Sequence, residues 1–164
     1  KSNSYKDIIN NDRLTRLSIS DYLNNFTILF SIADNKRSLP HMMDGLKESQ
    51  RKILYACFKR KLTSPVKVAQ LSGYVSEHTN YHHGEESLNG AIIGMASSFV
   101  GGNNIPYLTR NGFFGRRLDG GKDEAKPRYI FTQLEKITRL IFPEEDDCLH
   151  PRVVDDGDIV EQED

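Results

Sequence analysis

KVAQLSGYVSEHTNYHHGEESLNGAIIGMASSF, Lys67 to Phe99, is the stretch on which the fold turns. Val68, Ala69, Leu71 and Val75 recur at helical spacing. After a polar joint from Glu77 to Gly84, Leu88, Ile92, Ile93, Met95, Ala96 and Phe99 do so again. Ser64-Pro65 is expected to open the first of these helices, because proline suits the first helical turn, and the second is expected over about Glu85 to Phe99. Two helices across a short turn, with a further helix ahead of them, make a helix-turn-helix pattern.

Toward the N-terminus, an amphipathic helix is expected from about Ser20 to Lys36. Ser20 and Asp21 would cap it, and Leu23, Phe26, Ile28, Leu29 and Ile32 would form its apolar face. Arg37-Ser38-Leu39-Pro40 ends it, since the residue before a proline is pushed out of the helical region. Another helix is expected from about Asp44 to Arg60, apolar at Leu46, Ile53, Leu54, Ala56, Cys57 and Phe58, and basic at Lys47, Arg51, Lys52, Lys59 and Arg60. Toward the C-terminus the texture changes. Gly101-Gly102-Asn103-Asn104 and Asn111-Gly112 are turn signals, with Tyr107-Leu108 and Phe113-Phe114 as short strands around the Asn-Gly turn. Gly115 to Pro127 is a loop longer than a simple turn, and such loops are often functional. Arg128 to Thr132 is β-prone, and Leu134 to Phe142 reads as a last short helix. The expected class is α+β: a mainly helical winged-helix domain (helix-turn-helix plus β-hairpin wing) with an acidic C-terminal tail. Residues 1–17 read as a lead-in, 18–143 as the winged-helix domain, and 144–164 as an acidic tail or linker, or the start of a further domain.

Apolar residues make up 37% of the 164. No run approaches the roughly 18 apolar residues of a membrane span, and the polar Lys1–Asn11 segment does not read as a signal peptide. Cys57 and Cys148 make no disulfide framework, so a reducing, intracellular compartment fits. The net charge of −1 conceals two halves. From Glu144 onward ten acids face one base, whereas the preceding 143 residues carry 21 bases and 13 acids. A basic body suits a polyanionic partner such as nucleic acid; a well-solvated surface is the other reading.

Between Lys36 and Lys67 nine bases stand against two acids. Lys47 and Arg51, four apart, would share one helix face and could follow a phosphate backbone, or simply face solvent. Tyr81-His82-His83-Gly84-Glu85 sits at the joint, near a helix N-terminus, where free N–H groups favour an anion. Imidazoles there could donate to a phosphate or move a proton; a helix cap or a metal site are the alternatives. His78 and His82 lie four apart, but no carboxylate or cysteine stands at a spacing that completes a zinc set.

Five linked stretches resemble the type IIA DNA topoisomerases of the eukaryotic or large-DNA-virus style. They are RSLPHMMDGLKESQRKIL (Arg37–Leu54), KVAQLSGYVSEHTNYHHGEESL (Lys67–Leu88), FVGGNN (Phe99–Asn104), GFFGRRLDGGKD (Gly112–Asp123) and PRYIFT (Pro127–Thr132). The bacterial gyrase counterparts are similar more distantly, and their proline between two histidines is absent here. The resemblance implies a DNA breakage-reunion segment in which Tyr129 is the nucleophile and Arg128 steadies the transition state. It further implies that Arg37, Lys47 and Arg51 line the DNA path, that Tyr81 and His83 lie near the scissile phosphate, and that Asp44 orients the basic groups. His82, beside them, joins the candidate DNA contacts. Arg116 stands where the family carries a small or hydroxylated residue, and Glu124 where it carries a small one; Lys126 offsets Glu124 in part.

A phenol with a pKa of ~10 needs help to lose its proton at neutral pH. His83 is the candidate proton carrier or phosphate donor, and Arg128 offers a planar fork suited to phosphate. In a regular strand Arg128 and Tyr129 would face opposite ways, so both can meet one phosphate only if the segment is irregular. Taken without its motif, Tyr129 is one of seven tyrosines and reads as a residue packed in the wing. The resemblance also implies Mg2+ and ATP in the full enzyme, both bound outside this segment. A homodimer on double-stranded DNA follows, with no membrane partner, in the nucleus, or in host cytoplasm or nucleus if viral. Asp156-Gly157-Asp158 matches a metal-holding DxD in spelling only. The segment alone is expected to bind DNA and cleave it poorly or not at all. A non-catalytic winged-helix binder is the alternative, and a helical protein-interaction domain with a fortuitous basic face is a weaker third.

Overall fold

The computed structural model describes residues 16–79, 81, 84–149, 152–155 and 158–162. Two compact units divide the chain, residues 1–48 and 49–164. In the first, α1 (Ile19–Tyr22) runs through a π-helical turn (Leu23–Thr27) into α2 (Ile28–Ser38). The cap is Ser18, two residues earlier than Ser20: its Oγ accepts the Asp21 N–H at 3.0 Å. That satisfies one of the helix's orphan donors. The expected apolar face is not buried, for Leu23, Ile28, Leu29 and Ile32 are all exposed. Tyr22 and Phe26 stack on each other, at 5.8 Å between centroids. A tight loop follows. Gly45 N–H donates to His41 O, His41 N–H to Leu46 O, and Leu46 N–H to Asp44 Oδ1.

The second unit is built on three helices. They are α3 (Glu48–Lys59), whose first residue still belongs to the first unit, α4 (Val68–Thr79) and α5 (Glu85–Ala96). Each buries the stripe its spacing dictates: Ile53, Leu54, Ala56 and Cys57; Val68, Leu71 and Val75; Leu88, Ile92, Ile93, Met95 and Ala96. Full burial of the Val, Leu, Ile and Met side chains among these is worth roughly 1.5–3 kcal/mol each. Leu108, Phe114 and Ile130 complete the core from the irregular half. α5 stops at Ala96, three residues short of Phe99, where the Asn103 amide donates to the Ser97 and Gly94 carbonyls that the helix end leaves over.

Ser64-Pro65 does not open a helix. Val66–Lys67 is a strand, β1, paired antiparallel with β2 (Phe131–Thr132), so that Val66 faces Thr132 and Lys67 faces Phe131. The expected hairpin between Tyr107-Leu108 and Phe113-Phe114 is replaced as well. Leu108 bridges to Leu134 and Asn111 to Phe131, which places the 131–134 segment between β1 and residues 108–111. Local turn chemistry loses here to pairing with a segment some twenty residues away. The last helix shortens to α6 (Thr138–Ile141), fixed by Thr138 Oγ1 donating to Tyr107 O at 2.6 Å. Arg139 then lies over the Phe58 ring at 3.7 Å and pairs with both Asp147 oxygens. Beyond a 3-10 turn (Glu144–Cys148), β3 (Arg152–Asp155) and β4 (Asp158–Gln162) form an antiparallel hairpin. Asp156-Gly157, part of the DxD spelling, lies outside the described residues. No helix among the described residues is long and apolar enough to cross a membrane.

Candidate active site

The segment from Pro127 to Tyr129 is a turn, not a strand, and Tyr129 N–H closes it on Lys126 O at 2.9 Å. Its position comes from the helix behind it. The first N–H groups of an α-helix have no partner within the helix. In α4, Val68 N–H donates to Ile130 O at 3.0 Å and Ala69 N–H to Pro127 O at 3.2 Å. Arg128 and Tyr129 are therefore held between two carbonyls that cap α4. Ile130, next in the chain, is 1% exposed, while Tyr129 is 63% exposed. The chain dips into the core immediately after presenting the phenol to solvent.

The irregular backbone removes the obstacle that a regular strand would set. The Arg128 guanidinium carbon lies 4.9 Å from the Tyr129 ring centroid, so both side chains occupy one side of the turn. An exposed phenol beside an exposed guanidinium can meet a single anionic group together. Phe131 anchors the far end, exchanging backbone hydrogen bonds with Asn111 at 2.8 and 3.0 Å. Gly112 is required beside it: its φ is +112°, and a Cβ there would stand 2.9 Å from Ile130 Cγ2.

The 115–123 loop leads into this turn. Gly115, at φ +84°, lies so close to Gly121 that a Cβ would come within 2.5 Å of the Gly121 carbonyl oxygen. Arg116 closes the loop. Its N–H donates to Asp123 Oδ1 at 2.8 Å, its Nε–H to Asp123 Oδ2 at 2.7 Å, and a terminal nitrogen reaches Asp119 Oδ2 at 3.0 Å. The Arg116 backbone N–H first, and then its side chain, hold the Asp123 carboxyl below the ordinary carboxylate range, against the partial desolvation that opposes them. Nearby, one Glu124 carboxylate oxygen is buried without a hydrogen-bond partner.

The other candidates are spread more widely. His82 and His83 lie outside the described residues. Tyr81 is partly buried, and its hydroxyl donates to Ser87 Oγ at 3.4 Å, across the joint into α5. Arg51 is part-buried on α3. Arg37 and Lys47 belong to the first unit; Arg37 pairs with Asp34 at 2.5 Å in the last turn of α2. α3 begins at Glu48 rather than near Asp44, so Lys47 stands ahead of the helix and the helical i,i+4 relation to Arg51 does not apply. Asp44, with its Oδ1 on the Leu46 N–H, shapes the loop before that helix. Sequence reasoning marked Arg116 as unusual but missed its partners. An acid seven residues on was the available signal, though legible only once the loop is known to close. Among the described residues no group of three or more His, Cys, Asp or Glu side chains is gathered to hold a metal ion.

Known proteins bear on this geometry. The chain is 57% identical over 150 residues to a DNA topoisomerase 2 of Candida albicans, covering 92% of this chain and 10% of that protein. To the DNA topoisomerase 2 of Saccharomyces cerevisiae it is 55% identical over 150 residues, with the same coverage. The chain thus spans about a tenth of the length of these relatives. Among solved structures, it is similar to the Plasmodium falciparum topoisomerase II DNA-binding, cleavage and re-ligation domain, with a TM-score of 0.83 and 50% identity, over 90% of this chain and 20% of that one. The DNA gyrase/topoisomerase IV A-subunit family model matches residues 37–163, and the chain belongs to that family.

Proposed function

We propose that this chain is the DNA breakage-reunion segment of a type IIA topoisomerase, an ATP-dependent isomerase of DNA topology, and that Tyr129 is its nucleophile. The observation that carries the reading is the solvent-facing Tyr129 phenol, set beside Arg128 on a turn whose flanking carbonyls cap α4. A phenol has an ordinary pKa of about 10 and reacts at neutral pH only with a proton acceptor at hand. His83 is the proposed acceptor. Attack forms a bond from Tyr129 Oη to phosphorus and breaks one phosphorus–oxygen bond to deoxyribose, whose oxygen leaves as a hydroxyl. One phosphodiester replaces another, so the released DNA hydroxyl can reverse the step without outside energy. Arg128 would neutralise charge building on the non-bridging oxygens, where a fixed guanidinium fork is most effective.

Duplex DNA is the proposed partner. Arg37, Lys47 and Arg51 would follow the phosphate backbone, with Tyr81 and His82 near the scissile group. α4, the joint and α5 would serve as the helix-turn-helix of a winged-helix unit, with β1, β2 and residues 108–111 in place of a hairpin wing. Residues 18–143 would be the cleavage domain, 1–17 a lead-in, and 144–164 the start of a further module. Two copies are needed for a double-strand break, one tyrosine for each strand, hence a homodimer. The setting is intracellular: the nucleus, or host cytoplasm or nucleus for a viral source. Mg2+ and ATP would bind elsewhere in the full enzyme.

Tyr129→Phe, made in the full-length enzyme, tests the reading. The covalent DNA–protein adduct should vanish while salt-dependent DNA binding persists. An adduct that survives the substitution removes Tyr129 from the role, and DNA binding without any adduct in the unmodified enzyme would favour a non-catalytic binder.

A further inference from the structure

Arg116 has no place in the cleavage chemistry, yet it makes the most connected side-chain contact in the loop before the nucleophile. Its guanidinium and its own backbone N–H both engage Asp123, and a second arm reaches Asp119. Gly121 N–H returns to Arg116 O at 2.9 Å, so the same residue is tied to the loop's far side through donor and acceptor alike. Beyond Asp123 the chain has few free joints. Ala125 N–H donates to Phe113 O at 3.0 Å, Lys126 O accepts from Tyr129, and Pro127 O accepts from Ala69. Each anchor fixes the next, and Asp123 is the first of the series.

We propose that Arg116 is a positioning residue: its clasp on Asp123 and Asp119 sets where the 115–123 loop ends and so fixes the placement of the Tyr129 turn, without Arg116 touching DNA. This rests on the reading of Tyr129 as the nucleophile. The physical ground is that the other anchors of the turn are main-chain bonds at its core side, whereas the loop side is held by a bidentate, charge-assisted contact on the surface. Small displacements of a reacting group are costly in rate, since a shift of about 1 Å can reduce it roughly 100-fold. An Arg116 that instead bound a backbone phosphate would act on affinity and on its salt dependence.

A double-mutant cycle in the full-length enzyme separates these roles. Arg116→Ala, Asp123→Ala and the double variant are compared for the single-turnover rate of adduct formation and for DNA affinity at two salt concentrations. Each single variant should slow adduct formation about 10-fold, and the double variant should be no slower than either. DNA affinity and its salt slope should stay as in the unmodified enzyme. Arg116→Lys, which keeps the charge but loses the fork, should recover part of the rate. Additive losses, unchanged rates in the single variants, or a loss confined to affinity with a shallower salt slope would each overturn the proposal. Tyr129→Phe is run alongside. If it still forms adduct, the reading of the nucleophile fails; if it forms none while the Arg116 cycle shows no rate effect, only the clasp fails.

Discussion

The turn bearing Tyr129 and the loop that precedes it are both irregular and both surface-exposed, but only the loop relies on charged side chains to hold its shape. The turn is fixed through main-chain groups: the Ile130 and Pro127 carbonyls on α4, and the Phe131 exchange with Asn111. Its side chains are left free to face outward. The 115–123 loop adds side-chain anchorage, by Arg116 on Asp119 and Asp123, to main-chain bonds such as Gly121 N–H to Arg116 O, with a glycine-to-glycine approach beneath. Main-chain anchorage does not depend on which residues occupy the turn, so that reactive types can be placed there. Side-chain anchorage is open to substitution and to pH.

Three changes would break or sharpen that contrast. The largest effect is expected from Ile130→Ala, which empties a fully buried position directly beneath the turn. It should cost about 2–5 kcal/mol in denaturant unfolding, because the cavity adds to the lost transfer energy. A loss below about 1 kcal/mol would mean the turn is not seated in the core as described. Gly112→Ala should cost less, about 1–3 kcal/mol, through left-handed backbone strain and the approach to Ile130 Cγ2. Unchanged stability there would show that the 108–111 segment can yield without disturbing Ile130.

The smallest effect belongs to the loop and is a matter of pH. Asp123 titrates below its ordinary value of 3.8 because the Arg116 N–H, and then its guanidinium, favour the charged form. A depressed folded value means the clasp's contribution is complete above the ordinary value and is lost as pH falls through the folded one. The Arg116 amide resonance should therefore be constant from neutral pH down to about 5 and move with a midpoint below 3.8. A midpoint at or above that value would deny the clasp.

The helices were legible because their cause is local. The apolar stripes of α3, α4 and α5 repeat within a turn or two, and burial follows them. The strands were not, because their cause is distant: Val66 becomes a strand residue only by facing Thr132, and Asn111 by facing Phe131. Proline chemistry at Ser64-Pro65 and turn chemistry at Asn111-Gly112 pointed to a helix start and a hairpin, and both gave way to those pairings. The β3–β4 hairpin was an avoidable miss. Asp156-Gly157 stands between its two strands in the sequence, and an Asp-Gly pair between β-prone stretches is a hairpin signal. The chemical identities of Arg128 and Tyr129 came from the motif, but their presentation on one side came from a turn that no residue pattern announced. The apolar face of α1 and α2 was legible as apolar from its spacing, but spacing does not say what covers a face, and Leu23, Ile28, Leu29 and Ile32 are exposed among the described residues.

The most direct measurement is to trap the covalent complex of the full-length enzyme with duplex DNA, trim it with nuclease and protease, and find by mass spectrometry which peptide carries the nucleotide. The remnant should sit on the peptide beginning at Tyr129, which trypsin releases by cutting after Arg128. A remnant on any other tyrosine, such as Tyr81 or Tyr107, would contradict the role given to the Tyr129 phenol.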